Sequence, residues 1–235
     1  MTSNPFGWPD WKPGDPPPAG AFRSKDDQTQ LARALHADRR LRQPRLWAAL
    51  SADLVAVSSF RGDRRHYLND LDRLVCMIRL AWRADAFLAM ALCRLRMSLR
   101  RHSVPIVPRI LHGLSMMTAQ VCIGDPVIIG EGVFLPHGQV VIDGAVEIGR
   151  GAWIGPWVTI GLLADNFQGP TIGDDAYIGT GAKILGPVTI GANAKIAANA
   201  VVLDDVPAGA TVAGAPARVV RGGADDGKSE AGGGT

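Results

Sequence analysis

The stretch TIGDDAYIGTGAKILGPVTIGANAKIAANAVVL, residues 171–203, repeats itself every six residues. Ile172, Ile178, Ile184, Ile190, Ile196 and Val202 set the beat. A small or apolar residue stands two places before each, as in Ala176, Ala182, Ala194 and Ala200. A period of six is neither the 3.6 of a helix nor the 2 of a simple strand. It is the period of a hexapeptide β-helix. Each unit makes one short strand and one corner. The large aliphatic side chain fills the interior, and the small residue two places earlier also points inward, where little room remains. Glycine serves the corner, where a left-handed or closely packed backbone is needed. Three units close a triangular coil, and coils stack through β-bonds at roughly 4.8 Å.

The beat extends upstream. Ile123, Ile129 and Leu135 are six apart, and so are Ile142, Ile148, Ile154 and Ile160. Thirteen positions keep phase, and eight are followed directly by glycine, which makes chance periodicity untenable. About five coils fit, a prism roughly 24 Å tall at that spacing. Two irregularities stand out. Between Leu135 and Ile142 the step is seven, and His137, the histidine of the repeat region, lies in that slip. Between Ile160 and Ile172 the mid-point is Asn166, so GLLADNFQGPT, residues 161–171, reads as a loop pushed out from the prism.

The rest of the chain has a different character. Residues 1–25 are rich in proline and glycine, a composition that predicts disorder, and so does the glycine-rich tail 221–235. Residues 26–119 read as helical. Leu71, Leu74, Val75, Ile78 and Trp82 recur at spacings of 3 or 4. Asp85 is placed to cap a second helix whose face is Leu88, Ala91, Leu92, Leu95 and Leu99. The two prolines of HSVPIVPRI break it, and a shorter segment, 109–117, follows. Such helices bury their stripe against one another or against other subunits; the lesser reading is a basic amphipathic surface resting peripherally on a membrane.

Composition bounds the function. The net charge of +3 is too small to imply nucleic-acid binding. Arginines crowd residues 33–110, and their simplest reading is solvated helix faces rather than a surface for acidic partners. Cys76, Cys93 and Cys122 are an odd number without metal-ligand spacing, which argues for a reducing compartment and against a disulfide framework or a metal site. The N-terminus has no apolar signal core, and no apolar run reaches the ~18 residues of a spanning helix. A cytoplasmic protein is expected.

The run GPTIGDDAYIGTGAKILGPVTIGANAKIAANAVVLDDVPAGATVAGAPARVV resembles the C-terminal coils of the serine O-acetyltransferase family, with GTGAKILG and AGAPARVV its most specific parts. GEGVFLPHGQVVIDG resembles that family's catalytic-histidine coil with one residue fewer after the histidine. VTIGLLADNFQGPTIG is closer to the colanic-acid-type polysaccharide O-acetyltransferases. The resemblance covers roughly 45–220. The fold class it implies, with the repeat, is mainly β: a left-handed parallel β-helix over 120–220, preceded by the α-helical domain. The left hand departs from the usual crossover rule.

The resemblance implies an acetyl-CoA-dependent O-acetyltransferase acting on a sugar or serine-like acceptor. A neutral imidazole takes the proton of an acceptor hydroxyl as it attacks the thioester. His137 is the general base so implied, and Gly138 would permit close approach by the donor. The family's orienting aspartate aligns with Cys122, leaving Asp125 and Asp143 as substitutes. Its loop Arg-His pair is replaced by Gln168-Gly169, so Gln139, Asp165, Asn166 and Gln168 are the acceptor-binding candidates. Acetyl-CoA would lie in a groove between subunits, against Thr180, Lys183, Ala198 and Arg218, with Lys195 nearby. The groove implies a homotrimer, and the helical domain a dimer of trimers. No metal is implied: a metal enzyme of the β-helical carbonic-anhydrase type needs several histidines on adjacent coils. A non-catalytic oligomeric scaffold is the alternative. A sugar nucleotidyltransferase is disfavoured, because the N-terminal half is helical and lacks a phosphate-binding glycine loop.

Overall fold

The computed structural model describes residues 37–63, 66–163 and 168–222. Asp165 and Asn166, the segment 1–25 and most of the tail lie outside these residues.

The repeat folds as the prism its period requires. Three parallel sheets form its walls. The first holds β1 (Val121–Ile123), β3 (Val140–Ile142), β6 (Thr159–Gly161), β9 (Lys183–Leu185) and β12 (Val201–Val202). The second holds β2 (Ile128–Ile129), β4 (Ala145–Ile148), β7 (Gln168–Ile172) and β10 (Thr189–Ile190). The third holds β5 (Trp153–Ile154), β8 (Tyr177–Ile178), β11 (Lys195–Ile196) and β13 (Thr211–Ala213), closed by antiparallel β14 (Arg218–Arg221). The chain visits the walls in the order first, second, third, a left-handed parallel β-helix. In-register ladders stack the beat, Ile123 on Ile142 on Ile160 on Ile184 on Val202. Ile154, Ile160, Ile178, Ile184, Ile190 and Ile196 are all fully buried, as are Ala152, Ala176, Ala182 and Ala194 two places before four of them, and Val158 and Val188 take that place before the other two and are buried too. Outside, Trp153 stacks on Tyr177 at 4.3 Å.

The gap before Ile172 is narrower than its sequence suggested. Ile172 stands on the second wall, next in turn after Ile160 on the first, and Gln168–Thr171 already pair with β4. Gly161 and Gln168–Thr171 thus belong to the walls, and the interruption of the beat is six residues long rather than a whole loop from 161 to 171.

Among the described residues, four helices precede the prism, α1 (Leu46–Phe60), α2 (Asp70–Arg83), α3 (Asp85–Arg101) and α4 (Val107–Ala119), with further helical residues at 37–42. The Asn69 side chain caps α2 by accepting from Asp72 N at 2.9 Å. α3 opens after Ala84 without a side-chain cap. Their faces correct the periodicity reading. Of the α2 stripe, Leu71, Leu74, Val75, Ile78 and Trp82 face outward, and the buried residue is Met77. On α3 the buried side is Ala86, Phe87, Ala89, Met90, Cys93 and Met97 together with Arg94 and Arg96; Leu95 is exposed and Leu88, Ala91, Leu92 and Leu99 are only part-buried.

The arginines explain this rotation. The first coil has no coil before it to donate to its carbonyls. Arg94 donates to Ile129 O and Gly130 O, both at 2.6 Å, and is held by Asp53 at 2.9 and 3.1 Å. Arg96 donates to Ile123 O at 2.5 Å and to His112 Nδ1 at 2.8 Å. Arg39 reaches Pro126 O and Val146 O, Gln43 reaches Val127 O, and Ser115 reaches Val121 O. Leaving such buried carbonyls unpaired would cost about 1–3 kcal/mol each. Arg39, Arg94 and Arg96 are therefore not solvated helix faces but the plug of the prism's open end. Burial and the Arg96 charge hold His112 below the usual histidine pKa.

Candidate active site

The site grows from one corner of the prism. Where the third wall turns into the first, each coil places a residue in the left-handed region: Gln120 (φ 54°), Gln139 (58°), Trp157 (63°), Gly181 (74°) and Asn199 (57°). The column begins at the C-terminal cap of α4. Gln139 N donates to Ala119 O, Gly181 N to Pro156 O and Asn199 N to Thr180 O, each reaching the carbonyl just before the column residue below or above it. Trp157 N instead reaches Gln139 O itself. That shift is the seven-residue step: VFLPHGQ occupies the place that AWIGPW fills in the next coil. The extra residue lets the chain bow outward, and His137 is exposed at the bow.

An open cleft of about 510 Å³ lies there, between prism and helices. His137 lines it with Pro136, Gly138, Gln139, Pro156 and Trp157 from the coils. Arg61, Arg83, Ala84, Ala86, Thr118 and Ala119 line it from the helices. No carboxylate is among these lining residues. A bulky residue with positive φ is uncommon, and such strain gathers at functional sites; Trp157 is 59% exposed on the cleft wall.

Gly138 has a reason other than approach of a donor. A Cβ there would sit 1.7 Å from Ala119 O and 2.6 Å from Ala119 C. The bow passes directly over the end of α4, so only glycine fits.

The other candidates divide. Thr180 and Ala198 are exposed on the same corner column, down the prism from His137. Lys183 adjoins it, its Nζ donating to Trp157 O at 2.6 Å. Asp143 follows β3 and therefore stands at the opposite edge of the first wall from His137. Asp125 is at that far edge too, ion-paired with Arg100 and, at 3.9 Å, Arg96. Cys122, where the family aspartate would be, is in register with Val141, and burial and Asp143 raise its thiol pKa. Gln168 lies on the second wall opposite Ala145. Arg218, on β14, is ion-paired with Asp204 at 3.3 Å and mostly exposed. Arg61, Arg83 and Thr118 were absent from the sequence candidates; no motif marks them, because their place follows from how helix ends meet the prism.

Comparison with known proteins bears on the repeat and the fold. A family model, bacterial transferase hexapeptide (six repeats), matches residues 169–204. The serine acetyltransferase of Synechococcus elongatus is 35% identical over 123 residues, 51% of this chain and 48% of that protein. That of Helicobacter pylori is 37% identical over 99 residues, 40% of this chain and 57% of that protein. The chain thus spans about half the length of the curated relatives it matches. Among solved structures, the serine acetyltransferase of Brucella abortus strain S19 aligns with TM-score 0.61 and 28% identity over 84% of this chain and 75% of that one. The same enzyme in complex with coenzyme A gives 0.63 and 26% over 85% and 77%. The Neisseria gonorrhoeae enzyme in complex with serine gives 0.61 and 26% over 84% and 78%. By its repeat, its helical half joined to a left-handed prism, and these likenesses, the chain is similar to the serine acetyltransferases, and its repeat matches the bacterial transferase hexapeptide family over residues 169–204.

Proposed function

We propose that the protein transfers an acetyl group from acetyl-CoA to a hydroxyl of a small polar acceptor, serine-like or sugar-like, with His137 as general base. One observation carries the reading: the histidine of the repeat stands exposed in the single seven-residue slip, facing a cleft between prism and helices. The acceptor hydroxyl gives its proton to the imidazole and its oxygen forms the new ester bond, a proton transfer worth roughly 10²–10⁴-fold. Among the described residues no cysteine or serine lines the cleft, and the Thr118 hydroxyl is turned to Leu114 O at 2.9 Å, which supports direct transfer without an acyl-enzyme. The acetyl thioester supplies an activated acyl group and a thiolate leaving group. The exposed corner column from His137 to Thr180 and Ala198 offers a straight path for the donor's pantetheine arm, with Lys183 beside it. The solved relatives with serine and with coenzyme A support both halves of the reaction.

A homotrimer completes the proposal, since the donor groove lies between prisms. The outward stripe of α2, with Ile110 and Met117 of α4, supports further association through the helical half. Among the described residues no helix is long and apolar enough to cross a membrane.

Thiol release from acetyl-CoA, measured with serine, homoserine and nucleotide-sugars as acceptors, tests the reading. Thiol release should appear with at least one of them and be lost in His137→Ala at unchanged melting temperature. Wild-type turnover in that variant would refute the assignment of the base.

A further inference from the structure

We infer that Arg61 and Arg83 bind an oxyanion carried by the acceptor, and so select acceptors bearing a carboxylate or phosphate. The inference deepens the transferase reading and rests on it for the identity of the cleft. Arg61 is the C-terminal cap of α1, and Arg83 is the last residue of α2. Both line the His137 cleft. Both also line a second cavity of about 400 Å³ beyond it, where Arg79, Ser58, Tyr67 and Asp63, a carboxylate with a partner of its own, join them. The two spaces therefore share these two arginines.

The pair differs from the buried arginines. Arg39, Arg94 and Arg96 are engaged by carbonyls or carboxylates of the protein. Among the described residues neither Arg61 nor Arg83 has an ion pair, and no carboxylate lines the His137 cleft to neutralise them. A guanidinium presents a planar fork of donors that fits carboxylate or phosphate in bidentate fashion. Two of them, with Arg79 against the single carboxylate of Asp63 in the adjoining cavity, leave an excess of positive charge that draws anionic ligands toward the His137 side. Direction assigns the anion to the acceptor. The donor path runs down the prism from His137 toward Thr180 and Ala198, whereas Arg61 and Arg83 approach from the helical side. The loop that replaces the family's Arg-His pair with Gln168-Gly169 leaves this duty open. The combined spaces are large enough for an acceptor bigger than a free amino acid.

Two arms test this on wild type and the Arg61→Gln/Arg83→Gln double variant. The first is calorimetric titration with inorganic phosphate and with malonate, which needs no turnover. Wild type should bind at least one, and the double variant should bind it at least tenfold more weakly. Absence of binding by wild type, or equal binding by both proteins, overturns the inference. The second compares matched acceptors, serine with serinol and glycerol 3-phosphate with glycerol. Wild type should favour the anionic member at least tenfold in kcat/KM. The double variant should lose that preference through acceptor KM, with the KM for acetyl-CoA held at its wild-type value. The responding pair names the oxyanion. A preference that survives the double substitution, or a rise in acetyl-CoA KM instead, places the arginines elsewhere and overturns the inference. A role confined to helix ends would lower the melting temperature and leave acceptor discrimination intact. If wild type releases no thiol with any acceptor, the transferase reading fails, and the titration still judges the arginines.

Discussion

Gly138→Ala is the sharpest probe of the slip. The added methyl would lie 1.7 Å from Ala119 O, while real Cβ atoms stay beyond 3.0 Å of such neighbours. The bow or the end of α4 must then move by more than about 1 Å. Neither moves freely: Gln139 N is bonded to Ala119 O at 2.8 Å, and Trp157 N to Gln139 O at 2.8 Å. Overpacking of this kind costs roughly 1–3 kcal/mol. In a chain of this size each kcal/mol lowers Tm by about 2–4 °C, so a fall of roughly 2–12 °C is expected. Catalysis suffers more, because a reacting group displaced by about 1 Å can lose about 10²-fold in rate. Gly113→Ala is the matched control. It lies in the same α4, where an added Cβ meets nothing within 4 Å, and the better helix propensity should leave Tm equal or higher by a few degrees. Thiol release and scanning calorimetry on both variants supply the comparison. Wild-type kcat and Tm in Gly138→Ala would refute the account of why glycine follows the histidine.

Two further outcomes follow from the plug at the open end of the prism. Asp53→Ala strips a buried partner from Arg94, whose ion pair is 2.9 Å long and almost wholly buried, and should cost about 3–5 kcal/mol, seen as a Tm fall on the order of 10 °C. His112 has a folded pKa below its unfolded value of about 6.5, so the unfolded chain binds the extra proton first. The stability it contributes is complete above pH 6.5 and is lost as pH falls through that value toward the folded pKa. Melting temperatures recorded from pH 8 to pH 5 should therefore decline at the acid end less steeply in His112→Gln than in wild type, and equal slopes would remove His112 from that limb.

The prism was legible because its rule is local. A triangular coil admits one large interior side chain per wall, so Ile178, Ile184 and Ile190 are specified without knowledge of anything distant. The slip at His137 was legible for the same reason, as a departure from a strict count. The helices obey no such local rule. The residues α3 buries are set by the unpaired carbonyls of Ile123, Ile129 and Gly130, which call for Arg94 and Arg96 on the inner side. Periodicity ranks arginine as a surface residue and rotated the face toward Leu95. The stripe of α2 was a clear amphipathic signal, but a stripe does not name what it faces, and within one chain it faces outward. Arg61 and Arg83 escaped for a related reason. Their meeting at the cleft depends on where two helices stop, and single ends carry little periodic signal.

The position of the slip then acquires a cause. The left-handed column that ends at Asn199 starts at Gln120, the cap of α4, so the helical half sets the phase of this corner before the first coil is wound. The next coil must pass over Ala119, and a regular six-residue corner would drive a side chain into that helix end. Seven residues with glycine at the contact solve the crossing, and the residue left over points outward into the space between the two halves. A histidine at that one position is at once free of the wall's packing rule and fixed at both ends by coil hydrogen bonds. Lengthening the prism by a regular coil near Ile190 would leave this junction untouched, whereas restoring the six-residue step by deleting one residue between Pro136 and Gln139 would close it. The corner that presents His137 is thus a product of the joint between helix and prism, and the repeat alone, however long, would not generate it.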